Sequence, residues 1–394
     1  MAVRNDNSHT NFTVKNTLTC NGRIVSPHAI IGNLNVPGGS AGDFLMNDGF
    51  GNATWSLSPI SSSVINVGVT PTGMAITSDG KLGYVANNNN YAVTTGNYVS
   101  VIDLTTNFPL TNISSDGFNQ PYTATINPDD SLVYITNSAG TTVSVISTSS
   151  NSIVATITGF DGPSGMAIKG TTGYVNNYGA SSGLGSGNGH SISIVNLVTN
   201  TITGTINVNQ APSALTLSPD QTKLYVINYV TGTVGSGTLQ VISTTSNTVL
   251  STLSGFSGPF AIVIHPDGVY AYITNFGSNN FDPYGTTVSV VNLSSNTIMD
   301  TIEVGIQPSG AAITPNGRYV YVSMYNTLYA GAGFTNLTPG QGTVNVIDTT
   351  TNTLLPLTIT VGQSPSNIVI SPDGLKVYVS NFISNTLSVL EALQ

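Results

Sequence analysis

The sequence predicts an all-β protein: a seven-bladed β-propeller of four-stranded blades, closed by a strand from residues 63–68 and preceded by a small N-terminal β arm. Three observations predict it. One unit recurs seven times, each copy holds four short segments of period-2 hydropathy, and clusters of Gly, Asn, Asp and Ser separate the segments.

The tyrosine that opens the second strand marks the copies at Tyr84, Tyr134, Tyr174, Tyr225, Tyr272, Tyr321 and Tyr378, at intervals of 40 to 57 residues. In the third copy the four strands read as residues 165–168, 172–176, 191–196 and 201–206. Four short strands per unit make a propeller blade. After the first strand come Ser218-Pro219-Asp220, His265-Pro266-Asp267-Gly268, Thr314-Pro315-Asn316-Gly317 and Ser371-Pro372-Asp373-Gly374. Pro presets φ, Gly or Asn takes the positive-φ position, and a short acidic side chain caps local amides. Asp79, Asp129, Asp220, Asp267 and Asp373 are therefore read as turn residues. So are Asp103 and Asp348, which alternate with Ser147, Asn196, Ser243 and Asn292 at one repeat position.

The last copy supplies residues 366–370, 376–380 and 386–390 and then stops at Gln394, one outer strand short of a blade. Ser63-Val64-Ile65-Asn66-Val67-Gly68 reads like the outer strands ending Thr301-Ile302-Glu303-Val304-Gly305 and Thr358-Ile359-Thr360-Val361-Gly362, yet it precedes the first copy. It is expected to complete the seventh blade and remove an open edge.

Tyr134-Ile135-Thr136-Asn137 and Tyr272-Ile273-Thr274-Asn275 carry a resemblance to the YVTN family of seven-bladed propellers, over residues 61–394. The resemblance implies the fold. It leaves function open, because that family includes surface-layer, adhesion and uncharacterised proteins, with enzymes among its distant relatives.

Residues 1–60 stand outside the repeat as a second module, and the propeller is assigned to residues 61–394. Residues 12–19 alternate as a strand, and Asn21-Gly22 is a hairpin signal with residues 23–25 returning beside it. Gly42, Leu45, Asp48, Gly51 and Trp55 fall at spacings that resemble a hairpin element of phage and giant-virus fibre proteins. So short a segment buries little surface alone, so association would order it. The expectation is an anchoring or oligomerising arm that uses Cys20, Phe44 and Trp55. Its partners would be other copies of the chain or a scaffold protein of a virion or cell surface.

Only 6% of residues are charged, with eight Lys+Arg against seventeen Asp+Glu and a net charge of -9, which excludes a phosphate-gripping nucleic-acid surface. The apolar residues alternate with Thr, Ser and Asn, which argues against membrane insertion, and the N-terminus shows no apolar signal-peptide core. A virion or extracellular surface is the expected location. The single cysteine has no intrachain partner.

For chemistry, the four histidines His9, His28, His190 and His265 form no metal-ligand spacing, and His190 and His265 fall on opposite propeller faces. Residues 179–189 are glycine-rich but lack the Lys and following helix of a phosphate loop. No cofactor, metal or catalytic set is expected, and the reading is non-enzymatic. A propeller enzyme of lyase or dehydrogenase type is the more distant alternative.

The second-to-third-strand connections are long in five copies and should crowd one face. They carry Tyr91, Tyr98, Tyr178, Tyr229, Phe276, Phe281, Tyr284, Tyr325, Tyr329 and Phe334 among Asn, Gly, Ser and Thr. Aromatic rings with neutral hydrogen-bonding groups suit a glycan or a receptor surface. The plain alternative is that these rings pack the loops.

Overall fold

The computed structural model describes residues 62–89, 97–179, 187–229, 235–277, 284–329 and 337–394, and 43–47 and 53–57, with backbone alone at 43–47, 53–57, 62, 327–329 and 337–339. The chain divides into two compact units, residues 1–56 and 57–394. In the first, Asp43–Asn47 and Ala53–Leu57 pair as a two-stranded sheet, so Phe44 and Trp55 lie on paired strands. Cys20 and the hairpin around Asn21-Gly22 lie outside the described residues.

The second unit is a seven-bladed β-propeller of four-stranded antiparallel blades. Blade 1 runs Pro71–Ile76, Leu82–Asn87, Tyr98–Asp103 and Phe108–Ser114, in that order from the axis outward. The next five blades repeat it. The first strands line the axis and each lies beside that of the next blade, the last (Pro365–Ile370) returning to the first. Alternation explains the packing: the second and third strands are Val, Ile and Tyr rich and almost fully buried, whereas outer strands such as Ser152–Thr158 alternate exposed and covered. Apolar clusters form between blades rather than within them. Tyr84, Val99 and Val101 of blade 1, for example, pack with Ala124, Val133 and Ile135 of blade 2.

A circumferential set of hydrogen bonds joins every pair of neighbours near the axis. Thr72 Oγ1 donates to Tyr122 O (2.7 Å), Thr123 Oγ1 to Ser164 O (2.7 Å), Asn176 Nδ2 to Pro212 O, and Ser213 Oγ to Pro259 O (3.1 Å). Thr274 Oγ1 donates to Ser309 O (2.8 Å), Ser309 Oγ to Pro365 O (2.6 Å) and Ser366 Oγ to Pro71 O (3.0 Å), which closes the ring. A second set lies further out, where the asparagine of a third-to-fourth-strand turn accepts from the repeat tyrosine of the preceding blade. Tyr84 Oη meets Asn151 Oδ1 at 2.8 Å, and Tyr272 Oη meets Asn352 Oδ1 at 2.7 Å. Both asparagines sit at positive φ (48° and 52°), a conformation Asn tolerates best after Gly.

The seventh blade is completed as the sequence predicts. Ser62–Asn66 pairs antiparallel with Thr386–Glu391, Ile65 opposite Leu387. The strand is shorter than the expected 63–68, because the chain must then turn into blade 1. Gly68 passes so close to Asn87 that a Cβ would lie 2.4 Å from its Cγ. Blade 7 has no third-to-fourth-strand turn to supply that asparagine, and the Leu393 N–H, just past Thr386–Glu391, donates to Tyr321 Oη at 2.6 Å instead.

The predicted acidic caps also behave as turn residues. Asp79, Asp129, Asp220, Asp267 and Asp373 each accept the backbone N–H two residues on, at 2.7 to 3.0 Å. Hydrogen bonds from Thr77 and the Lys81 amide hold the Asp79 carboxyl down at about 2, and those from Ser218 and Thr222 do the same for Asp220. Asp103 and Asp348 cap Thr105 and Thr350 amides at 2.8 and 2.9 Å.

Candidate functional site

Each first strand starts on the face from which the second-to-third-strand connections leave. This loop face and the opposite turn face differ in chemistry. All five cations of the propeller, Lys81, Lys169, Lys223, Arg318 and Lys376, flank the tight turns between first and second strands, on the turn face. On the loop face the charges among the described residues are carboxylates, such as Asp116 and Asp161. His265 sits on the turn face with Nδ1 2.8 Å from Asp267 Oδ1, and exposed His190 lies on the loop face, so the two stay apart as expected.

The residue that follows the last position of the second-strand repeat is Asn88, Ser138, Tyr178, Tyr229, Phe276, Tyr325 and Phe382 in blades 1 to 7. In every blade its N–H donates, at 2.8 to 3.0 Å, to the carbonyl of the residue before that same blade's first-strand proline. That acceptor residue has positive φ in all seven blades: Thr70, Gln120, Gly162, Ala211, Gly258, Gln307 and Ser364. Five of them are not glycine, and Thr70 is β-branched, so the rim of the axis holds a repeated backbone strain of about 1 kcal/mol or more at each such residue. The hydrogen bond fixes where the following aromatic ring emerges.

The position is aromatic in blades 3 to 7, and over blades 5 to 7 the rings meet in an arc. Phe276 lies 5.8 Å from Tyr325, and Tyr325 lies 6.2 Å from Phe382, centroid to centroid. Phe260, on the first strand of blade 5, stacks on Phe276 at 5.3 Å with 30° between planes. Tyr229 Oη donates to Gly277 O at 2.7 Å. Of the predicted aromatic face, the structure thus brings together Tyr229, Phe276 and Tyr325. Tyr229 and Phe276 are only 3% and 6% exposed, so these two pack the loop bases rather than offering open rings. Tyr178 and Tyr98 are half-buried, Tyr98 opening the third strand of blade 1. Tyr284 pairs with Gly277 where the blade 5 hairpin extends beyond the sheet. Tyr329 pairs with Leu337 in a small hairpin, Thr327–Tyr329 with Leu337–Pro339, that extends the blade 6 connection. Tyr91, Phe281 and Phe334 lie outside the described residues.

The first strands enclose an axial pocket of about 200 Å³, lined by residues of all seven, among them Tyr122, Phe260, Ser213, Ser366 and Asn367. Its lining is wholly uncharged. Burial, reinforced by nearby Tyr178, pushes the Tyr122 phenol up to about 12, so it stays a neutral hydroxyl through the physiological range. The pocket is the part of the site that motif reading misses. Its signal was present as departure from the repeat: the second first-strand residue is Thr72, Ser164, Ser213, Ser309 or Ser366 in five copies but Tyr122 and Phe260 in two.

No protein-family model matches the chain. A 63-residue stretch is 40% identical to the PE-PGRS family protein PE_PGRS18 of Mycobacterium tuberculosis, covering 16% of this chain and 14% of that relative's length. Among solved structures, hydrazine synthase of Kuenenia stuttgartiensis superposes with a TM-score of 0.69 and 19% identity, covering 82% of this chain and 96% of that one. At that identity the likeness shows the fold alone.

Proposed function

We propose that this chain is a non-enzymatic structural and interaction protein of a virion or cell surface. The rigid ring presents its loop face to a partner, and residues 1–60 attach it to a scaffold or to other copies. The observation that carries this reading is directional: long connections in blades 1, 3, 4, 5 and 6 all leave one face of a ring that is hydrogen-bonded at every junction. Such a scaffold holds loops in fixed places, which is where recognition residues concentrate. The repeated aspartates support the interaction reading over acid/base chemistry, because their carboxylates are engaged by turn amides and hydroxyls. Kinship with YVTN propellers and fibre hairpins belongs to the same reading.

A second reading, glycan or receptor adhesion, is favoured by the chemistry of the loop face, where aromatic rings, hydroxyls and amides stand together with no cation among the described residues. The test replaces residues 326–341 by the short turn of blade 2, residues 138–141. Loss of binding to a glycan array or a host-surface extract, with thermal stability retained, is the expected result. Undiminished binding would move recognition off this face.

A further inference from the structure

The axial pocket holds three departures from a sevenfold pattern, and the structure compensates for two of them. In blades 1, 4, 6 and 7 the second first-strand residue, Thr72, Ser213, Ser309 or Ser366, donates its hydroxyl to the next blade's backbone. Blades 2 and 5 place Tyr122 and Phe260 there, and neither ring supplies that bond. In both, a threonine elsewhere restores it: Thr123 Oγ1 reaches Ser164 O at 2.7 Å and Thr274 Oγ1 reaches Ser309 O at 2.8 Å. Ring closure therefore does not require the aromatics. They stand three blades apart, across the axis from one another, and both line the pocket.

The third departure is Asn367. At the next position the other blades carry Gly73, Thr123, Gly165, Ala214, Ala261 and Gly310, whereas blade 7 carries a full amide. Asn367 lines the pocket, and its Oδ1 is buried with no hydrogen-bond partner. A buried amide oxygen without a partner costs about 1–3 kcal/mol, and a rotation of the Asn367 side chain toward the pocket it lines would let a ligand hydroxyl recover it. The ring hydroxyls offer lone pairs, since their hydrogens are already donated to carbonyls. A volume of about 200 Å³ equals about six to seven waters at ~30 Å³ each and falls below that of drug-sized ligand sites, so it suits one small ring.

We propose that the axial pocket binds a single neutral sugar ring, with Tyr122 and Phe260 against its apolar faces and the Asn367 amide with the rim hydroxyls directing its hydroxyl groups. This rests on the adhesion reading of the loop face and names its ligand. Neutral lining and the absence of lysine or arginine there suit an uncharged sugar over an acidic one. The ring is either free in solution or the end of a glycan chain.

The test uses the full chain and three variants that install residues other blades already carry: Tyr122→Ser, Phe260→Ser and Asn367→Gly. Calorimetry and saturation-transfer NMR against glucose, galactose, mannose and N-acetylglucosamine, and against oligosaccharides ending in each, read the affinity; thermal unfolding reads the fold. The expected result is binding of at least one sugar, weakened tenfold or more in each folded variant. Binding of both forms marks a free sugar as sufficient, and binding of oligosaccharides alone marks a glycan end. Sugar binding that all three variants leave unchanged would overturn the pocket while leaving the loop-face reading standing. No sugar binding by the full chain, or binding of tetramethylammonium in place of sugars, would overturn the proposal itself.

Discussion

Replacing Ile65 by Ala tests whether the N-terminal strand is part of the ring's core. Ile65 is 2% exposed and packs with Met74, Val85, Ile102 and Leu387, at the seam between blades 7 and 1. Its neighbour Val64 points outward at 64% exposure. An Ile→Ala change at a fully packed site costs about 3–4 kcal/mol, the lost transfer energy plus the cavity left behind. The exposed Val64→Ala should stay within about 0.5 kcal/mol. With about 2.1 cal/mol/K of unfolding entropy per residue over roughly 340 residues, Ile65→Ala should lower Tm by about 4–6 °C and Val64→Ala by less than about 1 °C. Scanning calorimetry reads both. Equal Tm values for the two variants would refute the reasoning, since they would mean the strand adds no core to the closed ring.

Ser309→Ala should cost about 1–3 kcal/mol in denaturant unfolding, because it removes the 2.6 Å bond to Pro365 O at a side chain with no exposure. At Asn151, with φ of 48° and a 2.8 Å bond from Tyr84, Gly should cost about 1 kcal/mol and Ala about 2–3, since only Ala adds left-handed strain to the lost bond; the order of Tm values checks this. The turn aspartates have depressed folded-state pKa values, Asp79 and Asp220 at about 2, against an ordinary carboxyl value of 3.8. Their contribution is complete above the unfolded value and is lost as pH falls through the folded one, so Tm should be flat above about pH 5 and decline toward pH 2. In Asp220→Asn the decline should be shallower.

Much of the fold is legible in the sequence because propeller blades are specified locally. A Pro-Asp-Gly turn, a positive-φ asparagine and a Val-rich strand each declare themselves within a few residues, and seven copies make the pattern unambiguous. The clasp is legible by subtraction, since the last copy lacks an outer strand that residues 62–66 can supply. The end of that strand is less so, because Gly68 answers to Asn87, a contact no local pattern reveals. On the loop face, connection length locates the face correctly. It does not reveal that Tyr229 and Phe276 turn inward, since the direction of a ring beyond a strand end depends on the neighbouring blade. Phe382 gives no signal along the chain because its connection is short, yet its ring joins the arc. Tyr122, Phe260 and Asn367 look unremarkable along the chain and gain meaning only when the first strands converge on one axis.

A self-sufficient ring displayed by a separate arm should keep its fold when the arm is removed. Light scattering of the intact chain and of a chain beginning at Ser61, with and without reductant, tests it most directly. The expected result is an intact chain that assembles or binds its scaffold and a shortened chain that is a folded monomer with unchanged thermal stability. An intact chain that stays monomeric at high concentration and binds no scaffold, or a shortened chain that still assembles, would contradict it.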